Sequence, residues 1–353
     1  MAGNPSVALS FNPAGPQFSI SEQCQMPDIT VTATIKDITP DPKVPLSYQW
    51  NVALAFDGKG CPNFAGQTTA HSAIPQSTTT TNTFKIPFTE IRGGDLVVGV
   101  SVTVGTTVLT AKSENLKVIG TNPSTLTLSN FVATLSPPVM FRKLMRLESS
   151  LQQFITRSSQ VWPLFSQDHL GGVGLCQLTP AQTADQVWSW KQNVKDGWAL
   201  YKQKQTVARN YPAHVRKSPE FLALAKAYND QRYEKLKKAA LTPVPGAPPP
   251  PPGPPKEAPR QDLTITLPDF TDDQLALDTV RGFNGFAGGL HEYRVQVDAN
   301  GLLAVTEDVP HNTGAAEWER LTAEQRNQVY DKLGIKHRGD PNYVVDVEAE
   351  ASF

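Results

Sequence analysis

The stretch LSYQWNVALAF, residues 46–56, places an apolar side chain at every second position. Side chains alternate across an extended strand with a period of two, so this pattern predicts a strand with one buried face. The same alternation occurs at residues 28–38 and again at 98–104, where four valines are spaced by two. Turn residues at Gly93-Gly94-Asp95 and at Gly105 bound the last of these segments. Residues 1–125 are therefore predicted to form an all-β sandwich, with Trp50 in its core.

The hydrophobic period changes from about residue 138. Phe141, Leu144, Leu151 and Ile155 follow one another at steps of three, seven and four, which predicts a helix over residues 140–158. Glu148 lies between Leu144 and Leu151, at the helical position where the pattern would place another apolar residue. A carboxylate facing a core is costly unless it is paired or protonated, and desolvation raises its pKa into the range of a general acid. Glu148 is thus either a catalytic acid or a glutamate at the edge of the stripe with its head in water.

Length and composition limit the classes of function. A chain of 353 residues with 39% hydrophobic residues predicts two or three folded domains. The net charge of -1 gives no global attraction to nucleic acid. The charge is polarised, however: residues 191–238 carry 12 basic and 4 acidic groups, and residues 261–353 carry 7 basic and 17 acidic groups. These two segments either pair with each other or direct an anionic polymer to one face.

The sequence contains no long apolar run, so we expect no membrane span. The opening residues MAGNP lack a basic segment followed by an apolar one, and we therefore expect synthesis in the cytoplasm without a Sec-type signal peptide. The cysteines at 24, 61 and 176 lack metal-ligand spacing, so we expect neither a metal nor a cofactor. Cys24 and Cys61 form either a disulfide, in an oxidising compartment, or two separate thiols.

A proline-rich segment interrupts the second half of the chain. Ten of the 30 prolines lie between residues 243 and 259, which predicts an extended linker outside any core. Before it, Ser218-Pro219-Glu220 predicts the start of a helix, because serine is a favoured cap and proline a favoured first helical residue. After it, residues 318–333 predict another helix that Gly334 ends.

Several short motifs occur in a characteristic order. Glu148-Ser149 is followed 26 positions after the glutamate by GLCQL at 174–178, and then by Asn193 and Gly197. This order resembles the lysozyme-like domain of lytic transglycosylases and related muramidases. That family has a catalytic Glu-Ser on a helix, a Gly-Leu-Met-Gln stretch, an Asn near a Gly, an aromatic-Asn pair and a Tyr-Val pair in a closing helix. Residues 1–125 in turn resemble bacterial Ig-like modules.

Two segments match the aromatic-Asn element. Tyr228-Asn229 has the residue pair that is usual in the family but lacks the glycine that normally follows. Phe283-Asn284-Gly285 keeps the glycine and precedes Tyr343-Val344, as the family's order requires. We favour Asn284, which makes residues 126–353 one mainly α-helical, lysozyme-like catalytic domain and residues 205–260 a charged helical and proline-rich insertion within it.

The resemblance implies a role for each matched residue. Glu148 is the general acid, and Asp168 is the candidate second carboxylate that a hydrolytic lysozyme adds. Cys176 replaces the family's Met and is expected to be a small buried apolar group. Trp188, Trp190 and Trp198 are candidates to stack on sugars, although their spacing predicts at least one of them in the core. The resemblance assigns substrate contacts to Ser149, Gly174, Gln177, Asn193, Phe283, Asn284 and Tyr343, with Tyr228 and Asn229 as the alternative third motif.

The resemblance implies a peptidoglycan-cleaving muramidase that acts on the MurNAc-GlcNAc bond of glycan strands, and it favours the lytic reaction over hydrolysis. It would act on the cell wall, in the periplasm, after delivery by a phage particle, by lysis or by a type VI-like secretion machine as an antibacterial effector. Expected partners are an immunity protein and a delivery-machine component bound through the Ig-like module, with no nucleic acid and no membrane. The alternatives are a non-catalytic glycan-binding or structural cell-wall protein and, third, an enzyme that cleaves chitin-like polymers.

Overall fold

The computed structural model describes residues 4–64, 66, 72–167, 170–179, 182–241, 259–267, 269–284, 292–297, 303–308 and 343–353. The chain divides into two compact units, Met1–Ala199 with Glu350–Phe353, and Leu200–Ala349. The amino-terminal region is rich in sheet and the following region is largely helical, so the protein is a multidomain chain of mixed class. These units divide at 199/200, and the predicted domains 1–125 and 126–353 stay a prediction.

Two sheets form the amino-terminal part of the first unit. Their strands are β1 (Ser6–Asn12), β2 (Gln17–Ser19), β3 (Thr30–Lys36), β4 (Tyr48–Ala55), β5 (Ser72–Ala73), β6 (Ser77–Thr79), β7 (Thr83–Lys85), β8 (Gly94–Val104), β9 (Thr107–Lys112) and β10 (Leu116–Ile119). One sheet has the order β1-β3-β7, and the other β2-β10-β8-β4-β5 with β6 on β4 and β9 on β8. The pair β2–β10 is parallel and the remaining pairs are antiparallel.

The predicted alternation on the central strand β4 is confirmed. Tyr48, Trp50, Val52 and Leu54 are buried, whereas the residues between them are exposed. Trp50 is 1% exposed, and its indole Nε1 donates to the Thr79 hydroxyl at 2.9 Å. Its burial in a cluster shared by both sheets confirms the predicted core tryptophan. Two cysteines in this part of the chain, Cys24 and Cys61, are separate buried thiols.

The core of the sheets continues beyond residue 125. Phe154, Phe165 and Trp188 belong to the same buried cluster as the strand residues. The Trp188 ring meets Phe56 edge-on at 5.3 Å. A Cβ on Gly93 would lie 2.1 Å from the Trp188 ring, so only glycine lets the sheet approach the indole this closely. The rings of Phe154, Phe165 and Trp188 therefore extend the core of the sheets beyond residue 125.

Four helices and a hairpin follow the sheets in the chain. They are α1 (Thr125–Leu135), α2 (Val139–Ser149), the hairpin of β11 (Phe154–Arg157) and β12 (Gln160–Pro163), α3 (Ala184–Trp188) and α4 (Trp190–Val215), which continues past the unit boundary. The described elements that follow α4 are α5 (Pro219–Leu241), α6 (Asp272–Phe283), the hairpin of β13 (Glu292–Val297) and β14 (Leu303–Asp308), and α7 (Tyr343–Ala349). Among the described residues, no helix combines the length and hydropathy needed to cross a bilayer.

The helix predicted over residues 140–158 ends at Ser149, and the prediction is wrong beyond that residue. The next two residues have positive φ angles of 50° and 63°, and the Ser150 N–H donates to the Arg146 carbonyl as a left-handed C-cap. The Asn122 carboxamide oxygen then accepts the N–H groups of Gln153 and Phe154, each at 2.8 Å. Serines 158 and 159, with φ angles of 51° and 62°, make the two-residue turn between β11 and β12.

The second unit confirms one predicted helix start. The Ser218 hydroxyl accepts the Phe221 N–H at 3.2 Å, and α5 begins at Pro219. An extended segment lies along α5, where the Asn229 carboxamide donates to the Leu263 carbonyl at 3.0 Å and accepts its N–H at 2.9 Å. Helix α6 packs against α7. The helix predicted over 318–333, the glycine at 285 and the prolines at 243–255 lie outside the described residues.

Candidate functional site

Glu148 lies in the last turn of α2, half-buried, and lines a cavity of about 580 Å³. Leu147, Leu164 and Phe165 give this cavity, the Glu148 cavity, an apolar part. Among the described residues that line it, Glu148 is the only one with an ionisable side chain. The other lining residues carry neutral hydrogen-bonding groups and are Ser149, Ser150, Gln152, Ser166, Gln167 and Gln177.

Helix α2 is held on its apolar face and by the end of the chain. Phe141 and Leu144 are fully buried, and the Phe141 ring meets Trp198 of α4 at 5.4 Å. The Arg142 guanidinium donates to the Phe353 carbonyl oxygen at 2.9 Å and lies 5.7 Å from the Phe353 ring. These contacts fix the orientation of the helix, and with it the direction in which the Glu148 side chain leaves the backbone.

Ser149 connects α2 to the turn at residues 174–178. It is 7% exposed, and its hydroxyl lies 2.9 Å from the Met145 carbonyl and 3.0 Å from the Leu175 carbonyl. The hydroxyl is therefore engaged with the backbone next to Glu148. Ser149 thereby links the helix to the turn, and it also lines the Glu148 cavity, so its contact with a sugar stays a prediction.

The turn at 174–178 rests on Gln153, a residue that the sequence analysis missed. Gln153 is fully buried; its carboxamide oxygen accepts the Leu175 N–H at 3.1 Å. Its Nε2 donates to the carbonyls of Gln186 at 3.0 Å and Val187 at 2.9 Å. Gly174 has a φ of +71°, and a Cβ there would lie 2.3 Å from the Gln153 carboxamide oxygen. Gly174 is thus required by backbone angle and by space.

Asn193 is fully buried, and its predicted contact with substrate stays a prediction. Its carboxamide oxygen accepts the Cys176 N–H at 2.9 Å, and its Nδ2 donates to the carbonyls of Val173 at 2.9 Å and Gln186 at 3.1 Å. Both of its N–H donors are therefore used within the protein. Asn193 thus holds the turn through the Cys176 N–H, as Gln153 holds it through the Leu175 N–H.

Gln177 remains a candidate for substrate contact. It is half-buried, lines the Glu148 cavity and has a left-handed backbone with φ of 45°. Its Nε2 donates to the Gly174 carbonyl at 2.8 Å, which orients the carboxamide. The structure therefore brings Glu148, Ser149, Gly174 and Gln177 together, with Asn193 buried beneath the same turn.

Cys176 is a packing residue, as the sequence predicts. It is fully buried, and a Cβ on Gly197 would lie 2.3 Å from its sulfur. Burial raises the pKa of the Cys176 thiol well above its usual range, and the carboxylates of Glu148 and Asp196 raise it further. The thiol is therefore neutral at physiological pH and is not a nucleophile.

The remaining predicted residues fall elsewhere. Asp168 lies outside the described residues, directly after the cavity residue Gln167. Of the candidate sugar-stacking tryptophans, Trp188 and Trp190 are core residues and Trp198 is half-buried. Asn229 hydrogen-bonds to Leu263 through both groups of its carboxamide. The other candidates also lie in the second unit; they are Tyr228, which is half-buried on α5, Phe283 and Asn284, half-buried at the end of α6, and Tyr343, buried on α7.

The site can offer a proton from one carboxyl group, and the other described residues that line the cavity are neutral. Among the described residues, no group of three or more His, Cys, Asp or Glu side chains is arranged to hold a metal ion. The described amides and hydroxyls beside Glu148 supply hydrogen-bond donors and acceptors to the cavity. No protein-family model matches the chain, and no curated protein is significantly similar to it.

Proposed function

We propose that the protein is a muramidase that cleaves the MurNAc-GlcNAc bond of peptidoglycan, with Glu148 as its general acid and base. The observation that carries the proposal is the position of Glu148, the one ionisable side chain among the described residues that line the Glu148 cavity. Cleavage of a glycosidic bond requires an acid to protonate the leaving oxygen. The cavity volume of about 580 Å³ lies within the range of small-ligand sites.

The reaction uses the Glu148 carboxyl group twice. Its proton goes to the glycosidic oxygen as the bond to the anomeric carbon breaks, and an oxocarbenium-like sugar remains. The resulting carboxylate then takes a proton from the 6-hydroxyl of the same sugar, whose oxygen bonds to the anomeric carbon and closes a 1,6-anhydro ring. We favour this lytic outcome because the described part of the wall supplies no second carboxylate. Asp168 is the candidate that would orient water instead.

The arrangement around the site supports the lysozyme-like assignment of the region that follows residue 125. A helix carries the glutamate near its end, a hairpin follows, and a turn containing Gly174 and Gln177 forms another wall of the cavity. The two sheets with Trp50 in their shared core support the Ig-like assignment of the amino-terminal region. We assign that region to docking on a delivery machine.

The proposed place of action is the cell wall, in the periplasm, after delivery. A phage particle and a contact-dependent machine such as type VI secretion are the two carriers that match a wall-degrading cargo. In the second case, an immunity protein would protect the producing cell by covering the Glu148 cavity. Nucleic acid and membrane have no part in this proposal.

The test is mass analysis of fragments released from purified peptidoglycan by the wild type, by Glu148→Gln and by the matched control Glu114→Gln. Glu114 is an exposed glutamate in the sheet region, so its variant should retain full activity. Fragments one water lighter than hydrolysis products, absent with Glu148→Gln, are the expected result. Fragments of full mass would identify a lysozyme and direct attention to Asp168. Release by Glu148→Gln at the wild-type rate would refute the assignment, and no release by the wild type would favour a glycan-binding protein.

A further inference from the structure

A second cavity, of about 430 Å³, lies between the larger sheet and the hairpin β11–β12. Its floor is aromatic, formed by the buried rings of Phe56 and Trp188 and by the half-buried Trp162. Its rim is polar, and the two acidic and two basic side chains described there give a net charge of zero. The rim residues are Asp57, Asp95, Lys59, Lys117, Gln17 and Gln160.

One continuous segment lines both this second cavity and the Glu148 cavity. Gln160 to Trp162 face the second cavity, and Leu164 to Gln167 face the Glu148 cavity. The Leu164 N–H donates to the Gln153 carbonyl at 3.0 Å, which extends the β11–β12 ladder by one step beyond Pro163. Side chains two apart in a strand share one face and are separated by roughly 7 Å. Trp162 and Leu164 are therefore neighbours on one face, at a spacing comparable to one sugar ring of a linked chain.

We propose that the second cavity is an accessory subsite for the same glycan strand, beyond the bond that is cleaved. This inference rests on the proposed function, since it takes Glu148 as the point of cleavage. The part of the Trp162 indole that reaches solvent offers an apolar surface for the carbon face of a sugar, and the rim offers donors and acceptors for its hydroxyls.

The charged groups of the rim suit a neutral ligand. The Lys117 ammonium lies 3.1 Å from the Asp95 carboxylate and 5.6 Å from the centre of the Trp162 ring. Because the Asp95 carboxylate offsets the charge of Lys117, the lysine can donate hydrogen bonds to a ligand while the pair as a whole is neutral. The cavity should therefore prefer an uncharged amino-sugar chain over an anionic peptide.

The experiment measures binding of the neutral probe chitotetraose, and of purified peptidoglycan, to Glu148→Gln protein that carries a second change. Trp162→Ala should weaken both by about tenfold, the loss typical of a partly buried aromatic anchor, whereas Trp162→Phe should retain most of the affinity. Gln160→Ala, at an exposed rim position, should weaken binding less, and its unfolding midpoint should match that of the parent. Lys43→Ala, on an exposed loop, is the matched control and should bind normally.

Activity measurements separate the two proposals. With Glu148 intact, Trp162→Ala should raise KM on long glycan strands and leave kcat unchanged. Unchanged affinity and KM in Trp162→Ala, together with cleavage by the wild type, would overturn the accessory subsite and leave the proposed function standing. Failure of the parent protein to bind chitotetraose would also overturn it. Full cleavage by Glu148→Gln would instead remove the proposed function itself.

Discussion

The pair Gln153 and Gly174 gives a quantitative test of how the site is built. Gln153→Ala leaves the Leu175 N–H and the Val187 carbonyl without their side-chain partner inside a fully buried region, whereas the Gln186 carbonyl keeps the Asn193 amide as a donor. Each unsatisfied buried group costs about 1–3 kcal/mol. We therefore expect the free energy of unfolding to fall by about 3–5 kcal/mol.

Gly174→Ala should be destabilising for two separable reasons. The left-handed backbone costs an alanine about 1–2 kcal/mol, and its Cβ would also collide with the Gln153 carboxamide at 2.3 Å. In the double variant Gln153→Ala, Gly174→Ala the collision disappears and only the backbone cost remains. The two effects should therefore be less than additive, by about 1 kcal/mol or more.

The assay is urea unfolding followed by tryptophan fluorescence. It reports mainly on the first unit, which contains the tryptophans at positions 50, 162, 188, 190 and 198. Gln152→Ala, which changes the exposed neighbouring glutamine, is the control and should stay within about 0.5 kcal/mol of the wild type. A Gln153→Ala loss below about 1 kcal/mol, or strict additivity in the double variant, would refute this account of the turn.

Two further predictions concern a thiol and the two candidate asparagines. Burial raises the pKa of Cys61 to about 12 from 9.0, so folding favours the neutral thiol; the stability it contributes should be complete below pH 9 and decline as the pH rises towards 12. The difference between the wild type and Cys61→Ala in unfolding free energy against pH isolates this effect, and parallel curves would contradict it. Asn229→Ala should lower the thermal midpoint, because it breaks both hydrogen bonds to Leu263. Asn284→Ala should cost more cleavage activity than Asn229→Ala; the reverse ranking would place the third motif on α5.

The sequence predicted the sheets well because their signal is local. A period of two along β4 identifies the buried face around Trp50 without knowledge of its neighbours. The predicted helix was too long because the apolar spacing of Leu151 and Ile155 is also compatible with a turn followed by a short strand. The helix ends in a left-handed cap, and the strand that follows is held by Asn122, a residue some 30 positions earlier whose role no local pattern reveals.

The site was predicted in part for a related reason. Motif order located Glu148 and Gln177, which line one cavity. Motif order does not give the direction of a side chain, and Asn193 turns its carboxamide into the protein rather than towards the cavity. Gln153 was missed because a single amide has no spacing signature, although it holds the turn in place.

The burial of Phe154, Phe165 and Trp188 against the sheets has a consequence for genetic exchange. A fragment that begins at residue 126 would present these rings to water, roughly 500 Å² of aromatic surface. Soluble monomers seldom expose a contiguous apolar patch of that size without associating. A simple join at residue 125 onto a different amino-terminal module would therefore leave these rings without the neighbours that the strands supply.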